Sequence, residues 1–492
     1  MKQKIVIIGA GFSGLAAAIT LAHKGYDVLV IEKNNDVGGR ARQIQENGFT
    51  IDIGPTWYWM PDIIENFFRS IDENINDHLK LVRLDPSYRI YDDHKTCYDL
   101  PANYQELEQF FESMEDNGAV KLKQFINEAR YKYGISLKQL SEKPQYSFRD
   151  SLDPSITKGT IHLDLFGTYE KHIKKYFDNK IIRLILEFPI VFLGGSTKTT
   201  PALYSSINYG ELFLGTWYPM GGIYKLVESL YEIALKKGVR FSLNNPVTSI
   251  NVDGRKVSEV ITNKATYKCD FLLGSADYQH IEQSLLIEKY RNYNNDYWNS
   301  RTLSPSCLLF QIGLSKKLPS SCHHTVIFGN NFHNHIKEIF ESPNWPHDPT
   351  FYVCTPSITD PSIAPNNCEL LYFLLPIAVG LEDDEFIREH YYDIIIEKYE
   401  SVTNNKIKDH ILFKKSFCIS DFMHDYNAYK GNAYGLANTQ RQTAYLKPSM
   451  RNNQIDNLIY LGHMTVPGPG VPPAIVSGQI AANEAIKLIK TT

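Results

Sequence analysis

Charge of one sign is what this 492-residue chain lacks most plainly. Lys and Arg total 51 against 55 Asp and Glu, for a formal net charge of −4, and no long basic run offers a footprint for a phosphate backbone, so a nucleic-acid binder is excluded. Cysteine is scarce and scattered. The seven, Cys97, Cys269, Cys307, Cys322, Cys354, Cys368 and Cys418, contain no C-x-x-C pair, which argues against a zinc site or a disulfide framework and for a reducing compartment. Long uncharged apolar runs are missing too. Spanning a bilayer takes roughly 18–20 such residues, and the greasiest stretch, 181–195, is broken by Arg183, Glu187 and Pro189. The chain passes from Met1 into strand-like sequence at Lys4, so no signal peptide is expected. What is there is a globular composition, too long for one ordinary core, and two or three domains are expected. Its 31 tyrosines and 25 phenylalanines suit a large apolar cavity, and equally serve strands and cores.

The first forty residues carry the strongest pattern. Lys4–Ile8 (KIVII) is a β-branched run of the kind buried on both faces of a sheet. It enters Gly9-Ala-Gly11-Phe-Ser-Gly14, then an alanine-rich helical stretch over 15–24, a second strand DVLVI over 27–31, and Glu32. This is the dinucleotide-binding fingerprint. Gly9 makes the tight turn, Gly11 lets the backbone approach a pyrophosphate, and Gly14 lets helix and strand pack closely. The helix N-terminus faces the phosphates, and Glu32 is placed for the ribose hydroxyls.

The next residues choose between NAD and FAD. Gly38-Gly39-Arg40-Ala41-Arg42 and then Asp52-Ile-Gly54-Pro55-Thr56-Trp57 resemble segments of flavoproteins of the amine-oxidase and carotenoid-desaturase superfamily. There the glycines pass close to the cofactor, an arginine can pair with its phosphates, and the second segment lies near the flavin ring. Tyr218-Pro-Met-Gly221-Gly222 resembles the turn that returns the chain to the cofactor domain, and Val247 matches a position that touches the adenine. Ser304-Pro-Ser306, Thr359-Asp-Pro-Ser-Ile-Ala-Pro365, Asp421-Phe422 and Tyr429-Lys-Gly431-Asn-Ala-Tyr-Gly435 follow in order. Together these look like a bacterial-type phytoene desaturase, of the carotenoid/retinoid family of FAD-dependent oxidoreductases, along nearly the whole chain.

Near the C-terminus, strand-like 457–461 and Gly462 lead to Pro467-Gly-Pro-Gly470-Val471-Pro472-Pro473 and a final helix. Pro-Pro is tolerated in a first helical turn, where the N–H groups lack partners anyway. The glycines let the backbone lie against a flat ring, and the helix N-terminus points its positive end where a reduced flavin gathers negative charge. The family's usual histidine before this loop is Val466 here, and its usual glycine after Val-Pro is Pro473. The histidine's role is therefore not carried over.

The resemblance implies an α/β fold. A Rossmann-type FAD-binding domain is assembled from 1–60, 215–290 and 450–492, a helical, membrane-contacting region covers 61–214, and an α+β substrate-binding domain covers 291–449. FAD is the expected cofactor, held by Gly9, Gly11, Gly14, Glu32, Gly39, Arg40, Arg42, Gly54, Pro55, Thr56, Val247, Gly462, Gly470, Val471 and Pro472. No metal is expected. The implied reaction introduces C=C bonds stepwise, phytoene toward lycopene, by hydride transfer to flavin N5. Quinone or oxygen is the terminal acceptor. Asp421, Glu211, His323 and His324 are candidate acids and bases, each of which also reads as a cap, a surface group or a loop residue, and no catalytic residue is assigned. A hydrocarbon substrate held in membranes implies a cytoplasmic protein peripherally bound to the bilayer, with 63–71 and 181–193 as contact segments or, equally, as core. Three alternatives stay open: a hydroxycarotenoid 3,4-desaturase, a redox-neutral carotenoid isomerase, and a flavin-free isoprenoid binder like the Rab GDP-dissociation inhibitors. The intact Gly38-Gly39-Arg40 argues against the last, and an amine oxidase would lack the later blocks.

Overall fold

The two ends of the chain meet in one parallel sheet. A computed structural model describes residues 3–142, 167–192 and 194–491. Five strands run in the order Leu458–Tyr460, Phe271–Gly274, Lys4–Ile8, Asp27–Ile31 and Arg240–Ser242, all parallel. Ile5, Val6 and Ile7 are buried on both faces, as a parallel sheet covered on both sides requires. Helices Phe12–His23 and Val471–Thr491 pack together on this sheet. Their approach is set by glycine: a Cβ on Gly478 would stand 2.3 Å from the Ser13 carbonyl oxygen and 2.9 Å from Ala16 Cβ.

A second, seven-stranded sheet runs in the order Ile411–Phe417, Ser306–Leu314, Glu369–Ile377, Phe351–Cys354, His324–Ile327, Tyr88–Tyr91 and Cys97–Leu100. Its long central pair, Ser306–Leu314 and Glu369–Ile377, is buried throughout and antiparallel over nine residue pairs. The last two strands come from the stretch read as helical, because Tyr88–Tyr91 pairs parallel with His324–Ile327. A small antiparallel sheet, Val247–Asp253 with Lys256–Thr262 and Thr266–Lys268, lies outside both.

The helical layer includes Pro61–Ser70, Tyr104–Met114, Gly118–Glu142, Tyr169–Tyr176 and Lys180–Phe192. Of the two readings of 63–71 and 181–193, membrane contact or core, the described residues fit the core. Ile63, Ile64, Phe67, Phe68 and Ile71 are buried, as are Ile182, Ile185, Leu186 and Phe188; Leu193 lies outside the described residues. Burying these side chains stabilises the helical layer by about 1.5–3 kcal/mol each, so the core takes them. Among the described residues, the exposed large apolar side chains of this layer are Val120, Tyr131 and Phe213. Among the described residues no helix is long and apolar enough to cross a membrane.

Candidate functional site

One cavity of about 480 Å³ opens where the first strand ends. Gly9 turns there with φ +101°, and a Cβ on it would come within 3.0 Å of the Ala276 amide nitrogen. Gly14 is equally constrained, since its Cβ would stand 2.1 Å from the Gly9 carbonyl oxygen. Gly11 differs. Its Cβ would meet nothing closer than Gly39 Cα at 4.0 Å, so the space it leaves opens into the cavity. Helix Phe12–His23 starts there with no side-chain cap and no acidic residue in its first turn. Bare N–H groups and the positive dipole end thus face the cavity, the arrangement that binds a pyrophosphate.

Glu32 ends the second strand, buried at the cavity wall. Its carboxylate accepts from the amides of Ala10 (2.8 Å) and Asn34 (2.9 Å). Burial raises its pKa despite these donors. Each oxygen keeps a lone pair for another donor, such as a ribose hydroxyl. Arg40 lines the cavity with its guanidinium 5.4 Å from the Tyr426 ring, donating to the Asn432 carbonyl (3.2 Å), while its buried Nε has no partner. Burial lowers its pKa against the pull of Asp277. A buried guanidinium with an unmet donor suits an anionic ligand.

At the opposite wall the C-terminal loop is pinned by Ser477, which accepts from the Gly462 amide and donates to the Val466 carbonyl, both at 2.9 Å. Pro467, Pro469, Gly470, Val471 and Pro472 line the cavity from there. Gly470 has φ +114°, and Pro472 and Pro473 occupy the first turn of the last helix.

Thirteen of the fifteen cofactor candidates lie on this cavity: Gly9, Gly11, Glu32, Gly39, Arg40, Gly54, Pro55, Thr56, Val247, Gly462, Gly470, Val471 and Pro472. Gly14 and Arg42 do not. Gly14 sits behind the turn it allows, and Arg42 pairs with Asp425 and lies 5.1 Å from the Tyr426 ring. Gly54 serves packing as well, because a Cβ there would strike the Arg40 carbonyl oxygen.

The candidate acids and bases are elsewhere. Asp421 accepts from the Cys418 amide (2.8 Å) at a helix start and pairs with Arg388 at 2.8 Å, which makes it a cap. Glu211 is buried in the helical layer, accepting from Tyr88 (2.5 Å) and Asn208 (3.2 Å), with burial pushing its pKa up to about 8. His323 and His324 are buried behind Trp57, whose indole stacks on His324 at 3.9 Å. None of the four lines the cavity.

Asp277 and His463 do, and neither was singled out as a site residue. Asp277 accepts from the Tyr429 amide (3.3 Å) and lies 3.8 Å from His463. Burial pushes the Asp277 pKa up, yet His463, Arg40 and the amide outweigh it and hold the carboxyl low. Burial holds the His463 pKa down, and Arg40 adds to the effect. A signal existed for Asp277, which follows the end of a central strand, where α/β sites form. His463 follows Gly462, but nothing local marks it.

Beyond the Pro/Gly loop the cavity continues along Trp57, Trp59, Met60, Phe188 and Leu203, with Leu309 and Leu374 from the large sheet. The site therefore joins an anion cradle to an apolar limb.

This chain belongs to the flavin containing amine oxidoreductase family, which matches residues 12–486. Within it, the chain is 36% identical over 488 residues to the carotenoid 3,4-desaturase of Haloarcula japonica, covering 99% of this chain and 98% of that one. It is 31% identical over 506 residues to the 4,4'-diapophytoene desaturase (4,4'-diaponeurosporene-forming) of Staphylococcus aureus MRSA252, covering 99% of each. It is thus an FAD-dependent oxidoreductase of the carotenoid-desaturase type. An oxidoreductase from Methanosarcina mazei shares the fold with a TM-score of 0.64 at 15% identity, covering 98% of this chain and 100% of that one.

Proposed function

We propose that this protein desaturates a carotenoid, introducing C=C bonds one at a time, with phytoene as first substrate and lycopene as the product approached. The observation that carries the reading is the continuity of the cavity: the cradle at Gly11 and the apolar limb past Trp57 share one space. FAD, when bound, supplies the hydride acceptor. The protein's part is to hold and to exclude water. The turn at Gly9 to Gly14, Glu32 and Arg40 would seat the dinucleotide, with Val247 at the adenine and the Pro467–Pro472 loop against the ring. Trp57, Trp59, Phe188, Leu309 and Leu374 would clasp the polyene, and their apolar surface keeps water from the reacting bond. No carboxylate or imidazole is among these limb residues. Loss of the hydride would leave a polyene-stabilised cation, and a weak base would suffice to take the proton from the adjacent carbon and complete the C=C bond.

A second reading, 3,4-desaturation of a hydroxylated carotenoid, is favoured by the higher identity to the Haloarcula japonica relative. Access from a bilayer would run past Phe213 and Tyr131, since Phe213 stacks on Tyr209 (5.1 Å), and Tyr209 contacts the cavity-lining Tyr133 (5.3 Å). Electrons would pass on to quinone or oxygen.

The test is an assay with FAD and phytoene in liposomes, the products separated by chromatography and read by absorbance. A stepwise red shift ending at lycopene supports the first reading. Conversion only of a hydroxylated lycopene derivative selects the second, and altered cis/trans geometry with an unchanged bond count overturns both in favour of an isomerase.

A further inference from the structure

Behind the apolar limb lies a cluster that the desaturase reading leaves without a task. His324 and Cys354 are directly opposed across two antiparallel strands, His324–Ile327 and Phe351–Cys354. Opposed residues present their side chains on the same face of a sheet. His323 precedes the first strand, and its carbonyl accepts from the Thr355 amide at 2.8 Å, which fixes its backbone against the other strand's end. The result is three potential ligand atoms, two imidazole nitrogens and one sulfur, all within 4.8 Å of one another. The three side chains are almost wholly buried, His323 at 4%, His324 at 0% and Cys354 at 1% exposure.

Their hydrogen bonding is what sets them apart from ordinary core residues. Nδ1 of His323 meets Thr359 Oγ1 at 2.7 Å, and Nδ1 of His324 meets the Tyr352 hydroxyl at 2.6 Å. Nε2 of both rings is buried without a hydrogen-bond partner. In the neutral tautomer that carries its proton on Nδ1, each ring leaves Nε2 as a lone pair. An unmet polar atom in the core costs about 1–3 kcal/mol, a cost that a bound cation would relieve at both rings. Tyr352 is in turn held by Thr56 Oγ1 at 2.8 Å. A ligating histidine usually has such an outer partner on its other nitrogen, which fixes the ring's tautomer and orientation.

We propose that His323, His324 and Cys354 form a binding site for a thiophilic d¹⁰ cation, zinc(II) or copper(I). Imidazole and thiolate suit these ions, and hard cations such as magnesium require oxygen. Ligand atoms around such an ion stand roughly 3.3–3.7 Å apart, so the present spread closes by about an ångström of side-chain rotation on binding. Zinc(II) takes a fourth ligand, such as a water, to complete its tetrahedron; copper(I) needs none. The ion has no open coordination position toward the substrate limb, because Trp57 covers His324 there. Its role is to tie the two strands together and fix the floor on which Trp57 rests. This site stands independently of which carotenoid is the substrate.

The test uses the flavin-loaded full chain. It is equilibrated with zinc(II), and separately with copper(I) under anaerobic reducing conditions, passed over a chelating resin, and assayed for retained metal by mass spectrometry. Wild type is expected to retain one of the two ions stoichiometrically and to gain in melting temperature with it. Cys354→Ser and His324→Gln should each retain that ion at least about tenfold more weakly, with flavin absorbance unchanged. Independently of how the variants fold, X-ray absorption at the metal edge of loaded wild type provides a second reading, with one sulfur and two imidazole nitrogens around the ion. Retention of neither ion by wild type, equal retention by Cys354→Ser, or a ligand shell without sulfur would each overturn the proposal.

Discussion

The cavity's two ends are built on different principles. At the cradle, backbone does the work: glycines at 9, 11 and 14 bring main-chain amides to the surface, and each is needed because a Cβ would fill a particular space. Along the limb, side chains do it, and Trp57, Met60, Phe188, Leu309 and Leu374 arrive from a loop, a helix and two strands of the large sheet. The first end is set by what is absent at a few positions, and tolerates almost no substitution. The second is set by volume and polarity, which many residues can supply.

The sharpest break of that contrast is Gly14→Val. Its Cβ would stand 2.1 Å from the Gly9 carbonyl oxygen, so the turn must open; we expect a loss of about 3 kcal/mol or more in stability and a colourless protein, checked by melting temperature and flavin absorbance. Trp57→Ala works at the other end. It should leave flavin loading intact and lower kcat/KM for carotenoid in liposomes by about 10- to 100-fold, for about 1.4–2.7 kcal/mol of lost transition-state binding; an equal loss of flavin affinity would erase the distinction between the two ends.

Gly11→Ala separates folding from binding within the cradle itself. The added methyl has room in the protein, 4.0 Å from Gly39 Cα, and occupies the approach of the pyrophosphate. The flavin-free melting temperature should match wild type while the Kd for FAD, measured by fluorescence quenching, rises about tenfold, or 1.4 kcal/mol.

In the helical layer the test is pH. Burial raises the Glu211 pKa to about 8 from its ordinary 4.5. The folded state then binds a proton that the unfolded state has released, so the contribution is full below 4.5 and is lost as pH rises through about 8. Wild type should lose up to about 5 kcal/mol over that window relative to Glu211→Gln, in urea unfolding at several pH values. Parallel pH curves would show that Glu211 is not buried as a neutral acid.

Legibility followed the same division. The dinucleotide turn and the Pro/Gly loop could be read because glycine and proline have few reasons to cluster other than backbone geometry, and thirteen of the candidate residues do border one cavity. The acids and bases could not. Asp421 and Glu211 are the right chemistry in the wrong places, one capping a helix and the other locked to Tyr88. The segments 63–71 and 181–193 stayed open between lipid and core for a related reason: a greasy helical face is the same pattern whichever it meets, and here the described part packs inward.

From the sequence alone come the nucleotide-binding turn at one end of the chain, the flavin-side loop at the other, and the family to which both belong, since each is a local pattern whose meaning does not depend on distant residues. Only tertiary structure joins those ends into one sheet, places His463 against Asp277, and sets His324 opposite Cys354 across two strands. These are contacts between residues far apart in the chain, decided by strand register and helix packing, and no local spacing encodes them.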